Sequence, residues 1–343
     1  MKKILLLTLV LVLMCLQSFA DTRATVLLLH NGQGISFDAD QLQTAVNEAM
    51  DGDTICLSEG DFTLSDTLRV NKVVTIMGVG ETSRIKGCIK IDIDGAPSLS
   101  NDFMRYVRVS DYVFVAKELH GLKIKKCWFD RHFYATATLT DLLIDRCYLM
   151  CFVPTSSIKS ALIKNSILYC IGDEIKEQSE QDPWSVGNEL TFFNCSIGNV
   201  GVIDLSTQKI QDATFINSVI CYYNKNGNSG VSNNTLINTL LAYLWIDSND
   251  VLTNCYYEPA GSLTVNPAFG KGWFPRFNMD GEEITEELLK ENSFFGNDGT
   301  IVGAYGGNSP YSLETEGIHI KESILKVDPE TRKLNVTLKV SAE

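Results

Sequence analysis

The chain has 343 residues, a formal net charge of −13 and 45% hydrophobic residues. The negative charge argues against nucleic acid or an anionic membrane surface as a partner, because both present phosphate groups. It also argues against polyanionic glycans, unless a local basic groove or a metal ion bridges the charges. The length and the hydrophobic fraction allow a large core, and 25 glycines and 8 prolines do not indicate disorder.

The first 20 residues, MKKILLLTLVLVLMCLQSFA, have the pattern of an export signal. Two lysines precede an apolar run, and Ser18-Phe19-Ala20 has the small-x-small pattern of a signal-peptidase site. The apolar run has about 13 residues, and a membrane helix needs about 20. We therefore expect residues 1–20 to be removed, which changes the net charge from −13 to −15 through loss of the two lysines. The mature chain is then secreted, periplasmic or bound to the cell surface.

One amphipathic helix is predicted near the start of the mature chain. It extends to Asp51-Gly52, and Asp38 or Asp40 can cap its first turn. Four apolar residues fall on one face of this helix: Leu42, Ala45, Val46 and Ala49. The segments DTICLSEG, DFTL, TLRV and KVVTIMG that follow read as short strands separated by turn residues.

Seven later segments repeat one pattern, in which two short apolar runs flank a corner residue and a small residue. The segments are 122–129, 143–150, 162–169, 191–198, 214–221, 235–242 and 251–258. The corner residues are Lys126, Arg146, Asn165, Asn194, Asn217, Asn238 and Asn254. The small residues that follow them are Cys127, Cys147, Ser166, Cys195, Ser218, Thr239 and Cys255. A period near 20 residues made of short alternating runs predicts a β-solenoid whose coils must stack to form a core.

The recurring asparagine fits a sharp corner between two strands of each coil. Asparagine tolerates the left-handed conformation that such a corner needs, and its amide can bond to the equivalent amide one coil away. The small residue then points inward and fills a tight corner. We expect most of the nine cysteines that follow Cys15 to be reduced and buried, with a disulfide as the less favoured alternative. The sequence has no CxxC pair, which argues against zinc.

The run LQTAVNEAMDGDTICLSEGDFTLSDTLRVNKVVTIMGVG resembles the start of proteins in the pectin-lyase-like, right-handed parallel β-helix superfamily. The segments VNPAFGKGWFPRF and DGTIVGAYGG resemble the closing segments of secreted β-helix proteins, particularly those of Bacteroidetes. The resemblance covers about residues 24–307 and implies right-handed coils, as parallel crossovers generally have. It implies little about activity, because this superfamily contains lyases, hydrolases, adhesins and proteins of unknown role.

The predicted fold class is therefore all-β: a right-handed parallel β-helix with an N-terminal capping α-helix and a C-terminal β segment. We expect a β-helix domain over residues 21–310 and a β extension over residues 311–343. Residues 177–189 read as a loop, and residues 281–293 read as a short acidic helix. The last 25 residues read as a strand pair with a turn at Asp328-Pro329-Glu330.

No residue is assigned a catalytic or metal-binding role, no cofactor is predicted, and the substrate-binding residues are unknown. A lyase site needs clustered carboxylates for calcium and a nearby base, and the plausible outward carboxylates, Asp204 and Asp247, have no acidic cluster around them. The polygalacturonase motifs Asn-Thr-Asp and Asp-Asp are absent. Arg84-Ile85-Lys86 and His120-Gly121 occur in the reverse of the family's order, so we treat them as coincidental.

Asp130, Arg131 and His132 form the one local group with an acid, a cation and a base, which we expect on a polar turn. His30 and His319 each stand alone and give no metal spacing. Aromatic residues recur late in the chain and offer rings for sugar stacking, with packing as the more favoured alternative. They are Tyr222, Tyr223, Tyr243, Trp245, Tyr256, Tyr257, Trp273 and Phe274.

The favoured function is carbohydrate or surface-partner binding without catalysis, by an exported monomer that has no transmembrane segment. The alternative is a diverged polysaccharide lyase or glycoside hydrolase that acts on plant or host glycans. Two or more carboxylates beside a basic residue on the outer strand face would favour the enzyme. A purely structural envelope component is a third possibility, and no residue in the sequence distinguishes it.

Overall fold

The computed structural model describes residues 24–31, 33–154, 158–172, 185–186, 189–200, 209–223, 230–244, 249–253, 255–259, 286–291, 295–312, 318–327 and 334–342. Strands of successive coils pair in parallel, so the predicted all-β parallel solenoid is confirmed. The predicted export signal at residues 1–20 lies outside the described residues. No helix within the described ranges is long and apolar enough to cross a membrane.

The first sheet has 12 strands in the described part of the chain. In their order across the sheet, the strands are Gln33–Asp38, Thr25–His30, Thr54–Leu57, Thr75–Met77, Met104–Arg105, Lys123–Lys125, Leu142–Asp145, Ala161–Lys164, Leu190–Phe193, Thr214–Ile216, Thr235–Ile237 and Val251–Thr253. The first two form an antiparallel hairpin, which joins the sheet antiparallel to Thr54–Leu57. All later pairs in this sheet are parallel.

The second sheet has 13 strands and forms another face of the same solenoid. Its strands are Gly60–Thr63, Leu68–Val70, Ser83–Lys86, Ile89–Ile91, Arg108–Val109, Val113–Val115, Trp128–Ala135, Tyr148–Pro154, Ile167–Ile171, Ser196–Val200, Val219–Tyr223, Leu240–Leu244 and Tyr256–Pro259. Short strands form a third face: Leu119–His120 with Leu139–Thr140, and Ser185–Val186 with Lys209–Gln211 and Gly230–Ser232. The strand Ser185–Val186 falls inside the segment 177–189, for which a loop was predicted.

The predicted helix near the start is present as a 3-10 turn, Ala39–Gln41, followed by the α-helix Leu42–Glu48. The predicted apolar face is confirmed: its four residues are buried. The helix ends earlier than the expected Asp51-Gly52, because Ala49 is extended. The Lys72 ammonium donates to the carbonyl oxygens of Asn47 and Ala49, which satisfies carbonyls at the helix end.

Two elements predicted for the C-terminal part are also present. The acidic helix covers Glu286–Glu291, where Lys290 pairs with Glu286 one turn away. The strands Ile318–Val327 and Leu334–Ala342 pair antiparallel. Their predicted turn at residues 328–330 lies outside the described residues.

The interior contains a continuous cluster of buried apolar side chains from successive coils. Equivalent positions stack on one another, as the rings of Phe192 and Phe215 show with a centroid separation of 4.9 Å. The register confirms the predicted repeat, because Phe193 lies opposite Ile216, and Ile216 opposite Ile237. Asn194, Asn217 and Asn238 each follow these positions and therefore lie on consecutive coils.

Every described corner residue of the repeat has the predicted left-handed backbone. The φ angles lie between 47° and 55° at Lys126, Arg146, Asn165, Asn194, Asn217 and Asn238, and Tyr106 continues the column with φ 56°. One amide bond of the predicted ladder is present, from Asn238 Nδ2 to Asn217 Oδ1 at 3.3 Å. Asn254 lies outside the described residues.

The small residues after the corners point inward, as predicted, and they also form a hydrogen-bonded ladder. Ser218 Oγ donates to the carbonyl of Ile216 at 2.9 Å and accepts from the backbone N–H of Cys195 at 3.2 Å. In an earlier pair of coils, the Cys147 N–H likewise donates to Oγ of Ser166, which lies on the coil that follows Cys147, at 3.1 Å. Serine, cysteine and threonine share this column because each can donate to its own coil and accept from the preceding one.

The cysteines of the inward column are reduced, as expected, and Cys127, Cys147 and Cys195 are buried. One disulfide does form, between Cys151 and Cys170. These two residues lie directly opposite each other on neighbouring strands of the second sheet. They occupy an outward position and are not part of the inward column, so the alignment of the repeat did not predict that they pair.

We predict that Ser218→Ala lowers the free energy of unfolding by about 1–3 kcal/mol, because a buried N–H and a buried carbonyl lose their shared partner. Ser218→Cys should restore most of the loss, since cysteine already occupies the equivalent position at 195. Denaturant unfolding of the three proteins measures both effects. Equal stability of the alanine variant and the native protein would contradict the ladder.

Candidate functional site

One row of outward-pointing side chains crosses the second sheet, because its coils pair in register. The members in the earlier coils are charged or aromatic and are exposed or half-buried: Asp61, Arg84, Arg108, Trp128 and Tyr148. In the following coils the members are small or apolar, and the last described strand continues the row with Tyr256: Ile167, Ser196, Val219, Leu240, Tyr256. Ser196, Val219 and Leu240 are almost fully buried although they lie on the outside of the solenoid. This change of residue type indicates that another segment covers the later coils.

The covering segment is residues 295–312, which we call the strap. Its Gly303 N–H donates to the carbonyl of Asn217 at 2.8 Å, and its Ala304 N–H donates to Ser196 Oγ at 3.0 Å. Asn165 Nδ2 donates to the carbonyl of Gly306 at 2.8 Å. The strap therefore lies along the asparagine corner and over the adjacent outer row of the second sheet. Burial of Ile301, Val302 and Ala304 accompanies these contacts.

Two strap glycines approach the asparagine column so closely that no side chain fits. A Cβ atom at Gly307 would lie 2.1 Å from Asn194 Nδ2, and one at Gly296 would lie 2.7 Å from Asn217 Cγ. Cβ atoms do not approach other heavy atoms this closely, so either substitution requires the strap or the facing asparagine side chain to shift. Close packing against the asparagine amides therefore favours glycine at positions 296 and 307.

A small cleft of about 20 Å³ lies beside residues 311–312 of the strap. It is lined by the corner residues Tyr106, Lys126 and Arg146, by Glu81 and Trp128, and by Tyr311 and Ser312 of the strap. Lys126 Nζ lies 5.6 Å from the centroid of the Tyr106 ring. Arg146 Nε lies 3.5 Å from Asp145 Oδ1, so its charge is shared with a buried carboxylate. The cleft thus combines aromatic and charged walls at the boundary of the covered and uncovered coils.

Arg108 connects this cleft to the uncovered outer row. Its Nε lies 2.9 Å and 3.1 Å from the two carboxylate oxygens of Asp130, and its Nη1 lies 3.7 Å from Glu81. Its guanidinium carbon lies 5.2 Å from the centroid of the Trp128 ring. Tyr148 stacks on Trp128 with the centroids 4.2 Å apart. Arg108 therefore fixes two carboxylates and one side of an aromatic stack.

A second aromatic group lies further along the same outer face. Phe114 and Tyr134 stack with centroids 5.0 Å apart, and His132 lies 5.4 Å from Tyr134 and 5.6 Å from Tyr112. The Cys151–Cys170 disulfide packs beside this group. The disulfide fastens two neighbouring strands next to the rings.

Ring stacking within the ladder limits what these aromatics can do. Coils repeat at the strand spacing of about 4.8 Å, so rings at equivalent positions stack on each other and turn their edges outward. Trp128 has Tyr148 and Arg108 as stacking neighbours. A sugar that stacks on an aromatic ring needs a free ring face. On this surface a sugar would therefore contact ring edges and polar groups.

The predicted group Asp130, Arg131 and His132 lies inside a strand, so the expectation of a polar turn is wrong. The strand Trp128–Ala135 is continuous, and the pairing register shifts between Phe129 and His132. A bulge places an extra residue there and keeps the neighbouring side chains on the outside. Asp130 binds Arg108 and His132 stacks with tyrosines, so the structure does not assemble the three into an acid–base site.

The other singled-out residues have structural partners. Lys86 Nζ lies 2.6 Å from Asp61, which also lies 3.9 Å from Arg84. His120 Nε2 lies 3.9 Å from Glu118 on the third face. His30 Nδ1 lies 2.8 Å from the buried carboxylate of Asp53, which accepts the Met50 N–H. These ion pairs and hydrogen bonds give the residues local roles at separate places in the solenoid.

Several sequence-derived candidates lie outside the described part of the chain. These are Asp204, Asp247, Trp245, Trp273 and Phe274. Tyr222 and Tyr243 lie directly opposite each other on paired strands, which agrees with the predicted recurrence of aromatic positions. His319, Tyr223, Tyr256 and Tyr257 lie in described strands, and only their backbone is described.

Burial makes the inward thiols unreactive. It raises the pKa of Cys147 and of Cys195 to about 12, and it raises the pKa of Cys127 as well. A cysteine nucleophile must be a thiolate, so these residues serve packing and hydrogen bonding. Burial likewise raises the pKa of Tyr311, which keeps the phenol at the cleft neutral.

Comparison with known proteins gave no match, whether to protein-family models, to curated proteins or to solved structures. Among the described residues, no three His, Cys, Asp or Glu side chains are grouped so that they could hold a metal ion. The site is therefore defined by its geometry: the uncovered outer row, its Arg108 cluster and the adjoining cleft.

Sequence reasoning did not single out Arg108, Trp128 or Tyr148. A signal was available, because aligning the seven segments also aligns the first outward position after the small residue. That column reads tryptophan, tyrosine, isoleucine, serine, valine, leucine and tyrosine along the chain, so it is small or apolar from residue 167 to residue 240. The change predicts cover over the later coils, although it does not identify the strap that provides it.

We predict that Gly307→Ala destabilises the protein more than Gly299→Ala does. Both glycines have left-handed φ angles, of 77° and 75°, so both substitutions cost about 1 kcal/mol in backbone strain. Only Gly307 faces the asparagine column, and nothing lies within 4 Å of a Cβ at Gly299. Overpacking should therefore add about 1–3 kcal/mol at position 307, measured by thermal or denaturant unfolding. Equal losses at both sites would contradict the close approach of the strap.

We also predict that the protein loses stability as the pH rises above about 9, the usual pKa of a cysteine thiol in the unfolded chain. Folding raises the pKa of Cys147 and Cys195, so their contribution is complete below that pH and is lost towards pH 12. The double variant Cys147→Ser, Cys195→Ser should show a smaller loss over this range in pH-dependent unfolding. A loss of the same size would assign the effect to other groups.

Proposed function

We propose that this protein is an exported β-solenoid that binds carbohydrate, or another surface partner, through the outer face of its second sheet and does so without catalysis. The observation that carries the proposal is the contrast along one outer row. Earlier coils present charged and aromatic side chains that are exposed or half-buried, whereas Ser196, Val219 and Leu240 of later coils are buried and the strap bonds to Ser196. Solvent-accessible side chains of this kind on a rigid sheet are typical of a recognition surface.

Recognition would rely on hydrogen bonds and ring edges. The outer row and the cleft offer the Arg84 guanidinium, the Glu81 carboxylate and the indole edge of Trp128 at the coil spacing. Sugar hydroxyl groups both donate and accept hydrogen bonds, and charged partners strengthen such bonds. This mode differs from the ring-face stacking considered as the less favoured alternative for the late aromatic residues, because rings in this ladder stack on each other.

Two features support export. The first 20 residues have the composition of a cleaved signal. The disulfide between Cys151 and Cys170 supports an oxidising compartment, since cytosolic thiols are usually kept reduced. Membership of the pectin-lyase-like superfamily remains part of this proposal, and it is supported by the sequence resemblance and by the parallel solenoid.

Cleavage of polysaccharide is the second candidate function, and one observation favours it. Arg108 lies between the carboxylates of Asp130 and Glu81 on the outer strand face, and two carboxylates beside a basic residue are what a polysaccharide-cleaving site requires. We rank it second because Arg108 contacts both oxygens of Asp130. Asp130 would have to leave this pair before it could accept a proton from water.

We predict that Trp128→Ala weakens binding to a retained glycan about tenfold or more, as expected when a central aromatic side chain is removed from a binding surface. Leu162→Ala is the matched control, because Leu162 is 38% exposed on the outer face of the first sheet. The mature protein would be screened on plant and host polysaccharides for both retention and release of reducing or unsaturated ends. Thermal unfolding of each variant separates lost binding from lost folding.

The same screen distinguishes the two functions. Retention without product release, weakened by Trp128→Ala and unchanged by Leu162→Ala, supports binding. Release of sugar ends that disappears in Asp130→Asn supports the enzyme. Equal retention of the native protein, Trp128→Ala and Leu162→Ala, or no retention on any polysaccharide, would refute the proposed site.

A further inference from the structure

Within the described ranges, the first sheet ends in an edge strand that is paired on one side only. Gln33–Asp38 is the terminal strand of the sheet and pairs only with Thr25–His30 in the described part of the chain. Its residues are exposed except for Phe37, which is half-buried. Ile35 is 46% exposed. The strand therefore presents both an open backbone edge and an apolar side chain to solvent.

The hairpin register shows which backbone groups point outward. His30 pairs with Gln33 across a two-residue loop, and such closing pairs are hydrogen-bonded to each other. Bonding alternates along an antiparallel pair, so Gln33, Ile35 and Phe37 bond inward, and Gly34 and Ser36 point their N–H and C=O groups outward. Asp38 agrees with this alternation, because its N–H donates to Gln41 Oε1 and not to the hairpin partner.

Usual protections of an edge strand are missing here. Soluble proteins commonly block such edges with lysine, proline or a bulge. The strand reads QGISFD, and its pairing with Thr25–His30 is regular over all six residues. Its single charged residue, Asp38, lies at the very end. Nothing in residues 33–37 opposes the addition of another strand.

We propose that this edge joins two copies of the chain by antiparallel pairing about a two-fold axis through Ile35. In that register Gly34 lies opposite Ser36 of the second copy, and each such pair exchanges two backbone hydrogen bonds. The two-fold axis produces this pair twice, so four hydrogen bonds satisfy all the outward groups of Gly34 and Ser36. The strand is thus complementary to itself, as an isologous interface requires.

The side chains fit the same register. Ile35 faces Ile35 of the second copy in a non-hydrogen-bonded pair, where the Cα atoms lie about 4.5 Å apart and the side chains make their closest contact. Pairing therefore removes from water the apolar side chain that is 46% exposed in the single chain. Gly34 and Ser36 meet on the opposite face without steric conflict, because both are small.

Charge does not prevent a second copy from pairing in this register. The two Asp38 residues lie at opposite ends of the paired strands, about 20 Å apart at the rise of an antiparallel strand. This separation exceeds the Debye length of about 8 Å at physiological ionic strength, so their repulsion is screened. Two copies of a chain with a net charge of −13 can approach here because the rest of the strand is uncharged.

The size of the contact predicts its strength. One pair of short strands buries less than the roughly 800 Å² per partner of a standard interface. We therefore expect a weak dimer that dissociates on dilution, rather than the monomer expected from the sequence.

Sedimentation velocity of the mature protein over the micromolar range tests the proposal. Ile35→Lys places a charge at the two-fold axis, and Ser36→Pro removes one outward N–H without touching the hairpin bonds. Both variants should be monomeric at concentrations where the native protein is dimeric, with thermal unfolding as the check of folding. A native protein that stays monomeric, or a dimer that persists in both folded variants, overturns the proposal.

Cross-linking gives an independent readout of the register. Ile35→Cys should form a disulfide between two copies when oxidised glutathione takes up the two hydrogen atoms, because the two thiols meet at the axis. Leu162→Cys is the matched control, since it introduces an equally accessible thiol on the outer face far along the sheet. Equal cross-linking of both variants, or none with Ile35→Cys, counts against the two-fold pairing.

Discussion

The register between parallel coils is the constraint on which the rest of this structure depends. From Tyr106 to Asn238, each described coil turns from the first sheet to the second through one residue with a left-handed backbone, and these corners stack directly on one another. A residue type at one position therefore meets its own equivalents above and below. Stability and surface chemistry therefore depend on columns of equivalent residues along the axis more than on single residue pairs.

The corner column shows how cover, rather than backbone conformation alone, selects the residue type. Tyr106, Lys126 and Arg146 have the same left-handed φ as the asparagines, so that conformation does not require asparagine. Lys126 and Arg146 line the cleft, whereas Asn165 and Asn217 bond to the strap. Long cations suit a corner at a solvent cleft, and short amides suit a corner that a glycine-rich segment covers.

The same columns define what the outer face can bind. Stacked rings stabilise neighbouring coils, and stacking leaves mainly their edges for a ligand. Arg108, Asp130 and Glu81 form a charged group at the edge of the cleft. The same group is the reason that polysaccharide cleavage is the alternative to a binding function. Geometry thus favours a rigid recognition surface and names the residues whose substitution decides between the two functions.

The sequence by itself determined the solenoid, its corner positions, the inward small residues and the apolar face of the cap helix, because each follows from local periodicity. Only the tertiary structure decided where the strap lies, since the Asn165–Gly306 bond joins residues 141 positions apart. It also decided the bulge at Asp130, the outward Cys151–Cys170 pair and the open edge at Ile35. The physical reason is that periodicity fixes which residues repeat, whereas cover, irregular register and exposed edges depend on what the rest of the chain places against them.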